Sequence, residues 1–510
     1  MENRKKVTKN LLFSIIGQIL TIAVGLLLPR LYIVNYGSEV NGLLNSLNQL
    51  LVYLALFESG IGAVTLQALY APVAKEDWEN INSILSATNV YYKRAGKWYL
   101  CALTLLALLF PFTIQSELKY ATIFLSVIFS GIGNVIMFYC QGKYKLLLQA
   151  EGKNYIITNL TTIVTILTSI SKVLLIINGF DVIIVLAVSC IIGLIQTIYI
   201  AWYIKTKYKK IKLNVKPNYL ALKQKNYMLI HQISGMVFQN TDVLLITYFC
   251  GLKIVSIYSI YKLIITHIES MLSIFSNAFN FVLGQTFQIN KSLYKERIDL
   301  FEMIYGVISF SVYSVALNLF VPFVKLYTSG VSDVKYVDYK LAFLFITIAL
   351  LTVMRTPMLL TINYAGHFKL TTIQTVTEAI INLIVSIIMI IFLGIYGALI
   401  GTIVALLYRT NDIIIYSNRK ILNRSPMKTY KFYIINILVT IFIESIFSII
   451  SMEVNNYISL IITGFIEIMI SLSIFSLFQL VFSPIERKYI FTKIKVLRRR
   501  EICHYSKTKP

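Results

Sequence analysis

Charged residues are scarce in this sequence. Only 14% of the 510 residues are Asp, Glu, Lys or Arg, whereas 57% are hydrophobic, and the mean hydropathy is +0.73. A soluble protein of this length carries more charge on its surface. The composition therefore excludes a soluble protein and indicates one that is embedded in a membrane.

Residue patterns that build common catalytic and metal sites are also lacking. The four histidines have no HExxH or other ligand spacing, no Walker lysine loop is present, and the five cysteines are scattered without paired spacing. We therefore predict neither an enzyme nor an ATPase, and we predict no metal site, no disulfide framework and no cofactor.

Apolar runs of membrane-spanning length recur along the whole chain, and no polar stretch between them is long enough to build a soluble domain. They are continuous rather than alternating, which disfavours a β-barrel. The sequence thus predicts an all-α polytopic membrane protein with about fourteen transmembrane helices. The predicted spans are 11–34, 42–70, 98–115, 120–142, 155–177, 182–204, 227–250, 254–288, 303–327, 341–364, 370–393, 397–417, 432–451 and 457–482.

The basic residues fall mainly on one side of these spans. If the N-terminus is cytoplasmic, 38 of the 47 Lys and Arg residues lie in cytoplasmic segments, including six in the loop 409–431. Such an asymmetry predicts that both termini are cytoplasmic. It also accounts for the net charge of +24 through topology and contact with anionic membrane lipids, without a nucleic acid partner.

Two glycine-containing breaks suggest duplicated halves. KLLLQAEGKNY (145–155) resembles LLTINYAGHFK (359–369), and NGFDVII (178–184) resembles FLGIYGALI (392–400), at offsets of 214 and 215 residues. Chance similarity among apolar helices is the alternative. The repeat predicts two pseudo-symmetric lobes related by an axis along the membrane normal. The predicted domains are an N-terminal six-helix lobe (1–204), a basic cytoplasmic linker (205–225), a C-terminal six-helix lobe (226–420), two extra transmembrane helices (421–483) and a basic cytoplasmic tail (484–510).

Ionisable residues inside the spans are candidates for function, because a charge at the bilayer centre costs about 2.5–3.5 kcal/mol on insertion scales. Lys262 and Glu269 are seven residues apart and share one helical face. Arg355 precedes Pro357, and Arg30 follows Pro29 near the predicted outer end of the first span. The other ionisable residues within the predicted spans that are candidates are Glu58, Lys172, Asp242, His267, Glu378, Glu444 and Glu467.

The second predicted span carries a stripe of polar side chains. Asn41, Asn45, Asn48 and Ser59 return to nearly the same angle at 3.6 residues per turn. Such a face either packs against other helices through hydrogen bonds or lines water, and the sequence leaves both readings open. Arg30 is likewise either an anchor at the membrane edge or a cavity residue.

Residues 30–85 carry two further pieces, YGSEVNGL (36–43) and LFESGIGAV (56–64), and the glycine breaks follow at Gly152, Gly179, Gly366 and Gly394. On these motifs the chain resembles polysaccharide-exporting flippases of the multidrug/oligosaccharidyl-lipid/polysaccharide (MOP) superfamily over its whole length. The resemblance implies a central cavity lined by the first, second, seventh and eighth spans. It also implies that an undecaprenyl-diphosphate-linked oligosaccharide crosses from the inner to the outer leaflet of the cell membrane by alternating access, for capsule, exopolysaccharide or related polymers.

Site residues follow by chemical type. A diphosphate needs cations in a wet cavity, and the candidates are Arg30, Lys262 and Arg355. Sugars need amides, and the candidates are Asn41, Asn45, Asn48 and Gln49. The first span has no acid, unlike the drug-exporting branch of the superfamily, and the candidates for ion coupling are Glu58, Asp242, Glu269 and Glu378.

Two other functions remain open. The first is a cation-coupled exporter of small organic cations, which would present acidic residues and few cavity cations. The second is a non-transporting membrane scaffold for polymer assembly. The expected partners of the leading reading are the lipid-linked oligosaccharide itself, anionic lipids, and the polymerase and chain-length machinery of a polysaccharide pathway.

Overall fold

The computed structural model of the protein describes residues 24–58, 61–219, 236, 240–367, 369–450 and 453–482. Apart from short 3₁₀ and π-helical turns, all regular structure in this part is α-helical. The helices are α1 (24–36), α2 (Ser38–Leu54), α3 (Ile61–Ala74), α4 (Trp78–Thr113), α5 (Tyr120–Cys140), α6 (Gly142–Ala150), α7 (Asn154–Ile177), α8 (Val182–Lys207), α9 (240–250), α10 (Leu252–Ile289), α11 (Lys291–Tyr327), α12 (Tyr339–Tyr364), α13 (Thr372–Leu393), α14 (Ile395–Tyr416), α15 (Met427–Ile450) and α16 (Tyr457–Phe482).

The predicted all-α polytopic fold is confirmed. Within the described residues, ten helices are long and apolar enough to cross a membrane, and each matches a predicted span. The four other predicted spans are the first, second, seventh and eighth. The first and seventh run into residues outside the described part, and the predicted N-terminal and C-terminal tails lie largely outside it as well. The eighth is the long helix α10, which carries Lys262, His267 and Glu269 in its middle.

The second predicted span differs from the expectation of one continuous helix. Helix α2 ends at Leu54, a 3₁₀ turn covers Ala55–Phe57, and α3 begins at Ile61. The polar stripe therefore extends only over Asn41, Asn45 and Asn48, and Ser59 lies outside the described residues. The break places Glu58 at the end of the 3₁₀ turn rather than on the face of a helix.

Helix α4 is much longer than the predicted span, because it begins at Trp78 instead of residue 98. The Asp77 side chain caps it by accepting a hydrogen bond from the Asn80 backbone N–H. Its polar first half holds the described part of the basic linker. Asn82 donates from its amide to the Lys210 carbonyl (3.0 Å) and accepts from the Lys212 N–H (3.0 Å).

Glycines end the helices at equivalent places in the two predicted halves. Gly152 and Gly366 follow α6 and α12, with φ of +74° and +69°, and Gly179 and Gly394 follow α7 and α13, with φ of +74° and +56°. No neighbouring atom would meet a Cβ at these positions, so it is the left-handed backbone that favours glycine. The sequence breaks that suggested a duplication thus share one local geometry.

The chain forms two compact units. Unit 1 takes in the described residues up to Leu263 together with Gly330–Lys335 and Ala379–Gly401, and unit 2 takes in Ile264–Ser329, Tyr336–Glu378 and the described residues from Thr402 onward. In unit 1, Phe138 packs edge-on against the Tyr99 ring at 5.3 Å between ring centroids. In unit 2, α11 packs against α15 and α16 through Phe310, which contacts Tyr433 and Phe475. The predicted division into two six-helix lobes stays a prediction.

Within unit 1, α2 meets the start of α10 at very short range. A Cβ built on Gly42 would lie 1.9 Å from the carbonyl oxygen of Leu252, a separation that no real structure allows. Glycine at this position therefore sets how closely the two helices approach. Close approach of this kind is how membrane helices gain packing energy in the absence of a hydrophobic drive between them.

We predict that Gly42→Ala destabilises the protein by about 1–3 kcal/mol, because the helix backbones must move apart. The matched control is Gly133→Ala on α5, where a Cβ would meet nothing within 4 Å. Thermal unfolding of both variants in the same detergent measures the difference. Equal unfolding temperatures would contradict the close approach of α2 and α10.

Candidate functional site

In unit 1, the amide-bearing face of α2 packs against α10. Asn41 is 2% exposed, and its side-chain amide donates to the Ser256 hydroxyl (2.8 Å) and the Ser259 hydroxyl (3.2 Å). Asn45 donates to the Asn41 carbonyl at 2.8 Å. At Asn41 the structure thus favours the packing reading over the water-lined one.

A different face of α2 packs against α9 in unit 1. The Ser46 and Thr247 hydroxyls are 2.7 Å apart, and the Tyr53 and Thr241 hydroxyls are 2.8 Å apart. Short hydroxyl contacts of this kind satisfy polar groups that hydrocarbon would leave unpaired. That these amides contact sugar stays a prediction. Their exposure to solvent differs, since Asn48 is exposed whereas Asn45 and Gln49 are half-buried.

One tyrosine links two predicted site residues that were assigned different roles. The Tyr258 hydroxyl donates to Asp242 Oδ2 at 3.2 Å, and the Lys262 ammonium lies 5.6 Å from the centroid of the Tyr258 ring. Asp242 itself is 5% exposed. The candidate acid for ion coupling and the candidate cation for the diphosphate therefore share one local environment in unit 1.

Glu58 also has a defined partner. The Tyr92 hydroxyl on α4 donates to Glu58 Oε1 at 2.6 Å, and it does so at the break between α2 and α3. The contact joins the break to α4, where Tyr92 is buried. The predicted role of Glu58 in ion coupling is not tested by this contact.

Arg30 lies on α1, six residues before the helix ends, and it is half-buried. Its neighbours Leu31 and Tyr32 pack with Ile176 and Val182 near the turn between α7 and α8. Apolar packing therefore holds the helix that carries Arg30. Both predicted roles, membrane anchor and cavity residue, stay open.

Unit 2 contains a buried network of charged side chains. Arg355 Nη1 on α12 lies 2.7 Å from Glu378 Oε1 on α13, and Arg409 Nε on α14 lies 3.6 Å from Glu378 Oε2. Arg409 also pairs with Asp412 and donates to the Thr375 hydroxyl at 3.0 Å. The network holds two guanidinium and two carboxylate groups, so its formal charge is zero.

Burial makes this network expensive unless all members are paired. The Glu378 side chain is 7% exposed, Arg409 is 5% exposed and Arg355 is 18% exposed. Each lies about 9–14 Å along its helix from the nearest end at 1.5 Å per residue, so the network sits inside the spans. The predicted diphosphate ligand Arg355 and the predicted coupling residue Glu378 are therefore partners of one another.

Arg409 was not among the predicted site residues, because it belongs to the six basic residues that were assigned to the loop 409–431. In the structure it is an interior residue of α14, which continues to Tyr416. One signal was available: Asp412 follows Arg409 at i+3 in an otherwise apolar helix, a spacing that favours an intrahelical ion pair. The remaining candidate, Glu269, lies on α10 near enough to Tyr305 and Tyr313 for electrostatic interaction.

Unit 2 also has a largely apolar cavity of about 650 Å³, which is open to the surface of the protein. Its walls come from α11, α12 and α15. The side chains on α15 include Ile437, Ile441 and Glu444, and those on α12 include Leu350 and Met354. The size lies within the range of cavities that hold small-molecule and lipid ligands.

Searches with the sequence find no matching family model and no matching curated protein. The fold, in contrast, has clear counterparts. The lipid II flippase MurJ, in an inward closed conformation, superimposes with a TM-score of 0.68 at 13% identity, covering 94% of this chain and 100% of the flippase. The chain shares its fold with this flippase.

Two MOP superfamily transporters of known structure share the fold over a smaller part of the chain. An inward-facing multidrug resistance MATE family transporter has a TM-score of 0.60 at 15% identity and covers 80% of this chain and 96% of its own. A MOP superfamily transporter from Pyrococcus furiosus has a TM-score of 0.50 at 15% identity and covers 80% and 95%. With the ten apolar helices, the shared fold makes this chain a multi-pass membrane protein.

We predict that Glu378→Ala lowers the free energy of unfolding by about 3–5 kcal/mol, because it leaves two buried guanidinium groups without their shared carboxylate. The matched control is Glu117→Ala, which breaks the exposed ion pair with Lys253 (2.9 Å) and should cost much less, because water screens an exposed pair. Chemical denaturation in detergent measures both variants. Equal losses would mean that the Glu378 network is not a buried one.

Proposed function

We propose that this protein is a flippase that carries an undecaprenyl-diphosphate-linked oligosaccharide from the inner to the outer leaflet of the cell membrane by alternating access. Such a substrate has three parts: a long apolar chain, a strongly charged diphosphate and a sugar. A protein that moves it must offer an apolar surface to the first and cations to the second within one membrane-embedded fold. Unit 2 contains both kinds of surface.

The observation that carries the proposal is the apolar cavity of unit 2. Its volume of about 650 Å³, its aliphatic walls and its position against α15 suit a hydrocarbon chain better than a small hydrophilic drug. The shared fold adds support, since the lipid II flippase covers more of this chain than the inward-facing MATE transporter does, 94% against 80%.

The charged network of unit 2 offers a way to bind and release a diphosphate. Arg355 is the more exposed of the two guanidinium groups that contact Glu378, and Arg409 already provides Glu378 with a second cation. An entering diphosphate can therefore take Arg355 from Glu378 while Glu378 keeps Arg409. The exchange replaces one charge-assisted contact by another, so that Glu378 and Arg355 each keep a partner of opposite charge.

A small-cation exporter is disfavoured by the same network. The candidate acid Glu378 has its charge balanced by two guanidinium groups, which would repel a cationic drug. A non-transporting scaffold has no particular need for a cavity of this kind. The polymer that receives the glycan, the polymerase and chain-length partners and the cytoplasmic orientation of both termini belong to the proposal.

We predict that filling the cavity slows transport. In Ile437→Trp/Ile441→Trp, two bulky rings occupy the cavity wall on α15. The control, Ile434→Trp/Leu438→Trp, places the same rings at the same spacing on the same helix but outside the cavity lining. Leu438 and Ile441 are equally exposed, at 60% and 59%.

The assay uses purified protein in liposomes and a fluorescent undecaprenyl-diphosphate-linked oligosaccharide, whose appearance in the outer leaflet is followed by quenching. The cavity variant should transport at least about fivefold more slowly, and the control should stay within about twofold of the original protein. No movement by the original protein would favour the scaffold. Movement of an organic cation instead of the glycolipid would favour the exporter.

A further inference from the structure

Unit 2 has a second cavity, of about 540 Å³, that the proposed transport cycle does not use. It lies where four helices end: the last turn of α10, the first turns of α11, the turn after α12 and the π-helical turn Ser417–Ile421 after α14. Helix ends meet the membrane–water boundary, so this cavity is interfacial. Its lining residues are Phe287, Lys291, Tyr294, Lys295, Ala365, His367, Lys420, Ile421, Leu422 and Asn423.

The cavity is strongly cationic. Lys291, Lys295 and Lys420 line it together with His367, and the lining includes no acidic residue. Within the described part of the chain, none of the three ammonium groups has a carboxylate within 4 Å, whereas Lys428 and Arg424 nearby both pair with Asp299. Asp299 is thus used by other cations, and no acid lines the cavity in the described part of the chain, so the cavity keeps its positive charge.

Two of the lysines stand where helix physics disfavours them. Lys291 is the first residue of α11, and Lys295 lies one turn later. The N-terminal end of a helix dipole repels a cation, and like charges at i and i+4 repel one another. An anion bound in the cavity would offset both penalties.

The third lysine is held by an unusual backbone. Lys420 belongs to the π-helical turn, whose residues Ser417 and Asn418 are fully buried. The Ser417 hydroxyl donates to the Met358 carbonyl at 2.8 Å, and Asn418 Oδ1 accepts from Arg424 Nε at 2.6 Å. Asn423, at the cavity wall, has a φ of +48°. Single π-turns and left-handed residues of this kind often mark functional sites.

We propose that this cavity binds the phosphorylated headgroup of a membrane lipid. Three ammonium groups and a helix N-terminus call for more than one negative charge, which favours a terminal phosphate or a diphosphate over a phosphodiester. Phe287, Ile421 and Leu422 supply apolar surface beside the cations, as a lipid at the interface requires. The inference does not rest on transport, because binding here needs neither the apolar cavity nor the Glu378 network.

Two lipids carry this chemistry: a prenyl diphosphate, as in the proposed cargo, and phosphatidic acid from the bulk membrane. The test measures both by native mass spectrometry of the full-length protein in detergent, using farnesyl diphosphate and dioleoyl phosphatidic acid as probes. Dioleoyl phosphatidylglycerol, dioleoyl phosphatidylcholine and inorganic pyrophosphate serve as comparison ligands.

The variant is Lys295→Gln/Lys420→Gln, and the matched control is Arg419→Gln/Lys431→Gln. The control removes the same charge from two exposed residues of unit 2 that do not line the cavity. Lys295→Arg/Lys420→Arg keeps the charge. We expect the Gln variant to bind the phosphorylated lipids at least about tenfold more weakly, and the control and the Arg variant to bind as the original protein does.

A preference for farnesyl diphosphate would identify the cargo as the source of the headgroup, and equal binding of phosphatidic acid would identify the bulk membrane; both support the site. Equal weakening in the control would overturn it, as would phosphatidylcholine binding equally well. Pyrophosphate binding as tightly as the lipids would replace the lipid by a soluble anion. If the original protein binds these lipids but moves no lipid-linked oligosaccharide in liposomes, only the proposed function is refuted.

Discussion

Hydrocarbon provides no partner for a charged or polar side chain, and the interior of this protein is organised by that constraint. Glu378 is met by two arginines, Glu58 by Tyr92, and Asp242 by Tyr258. Each of these contacts joins two different segments of the bundle. The partners that satisfy a polar group inside the membrane therefore also determine which helices pack together. The helix bundle depends on this pairing as much as on its apolar surface.

Pairing of this kind has a consequence for function. A carboxylate that contacts two cations can release one of them to another anion and still keep a partner. A carboxylate with one cation would be left as an unpaired charge in hydrocarbon. The network of Arg355, Glu378 and Arg409 is arranged in this way, and an apolar cavity lies within the same unit. A substrate that is both lipid and anion needs this combination.

Much of the architecture was readable from the pattern of residues. Ten predicted spans correspond to ten apolar helices, and the glycines at 152, 179, 366 and 394 marked helix ends that have the same left-handed backbone. These features are local: the length of an apolar run and the conformation of one glycine depend on residues that are close together in the chain. The break within the second span escaped prediction, because apolar residues continue through it and no proline or charged cluster marks the end of α2 at Leu54.

The sequence by itself determined that the protein is an all-α membrane protein, which residue types stand inside the spans, and where most helices begin and end. Only the tertiary structure decided what those residues contact. Arg355 and Glu378 are 23 positions apart, and Asn41 and Ser256 are 215 apart. The sequence contains both members of each pair but does not show that they are in contact. Helix periodicity relates residues three and four positions apart and carries no information on which helix lies alongside. For the same reason Arg409 looked like a loop charge until α13 was seen to bring Glu378 to it.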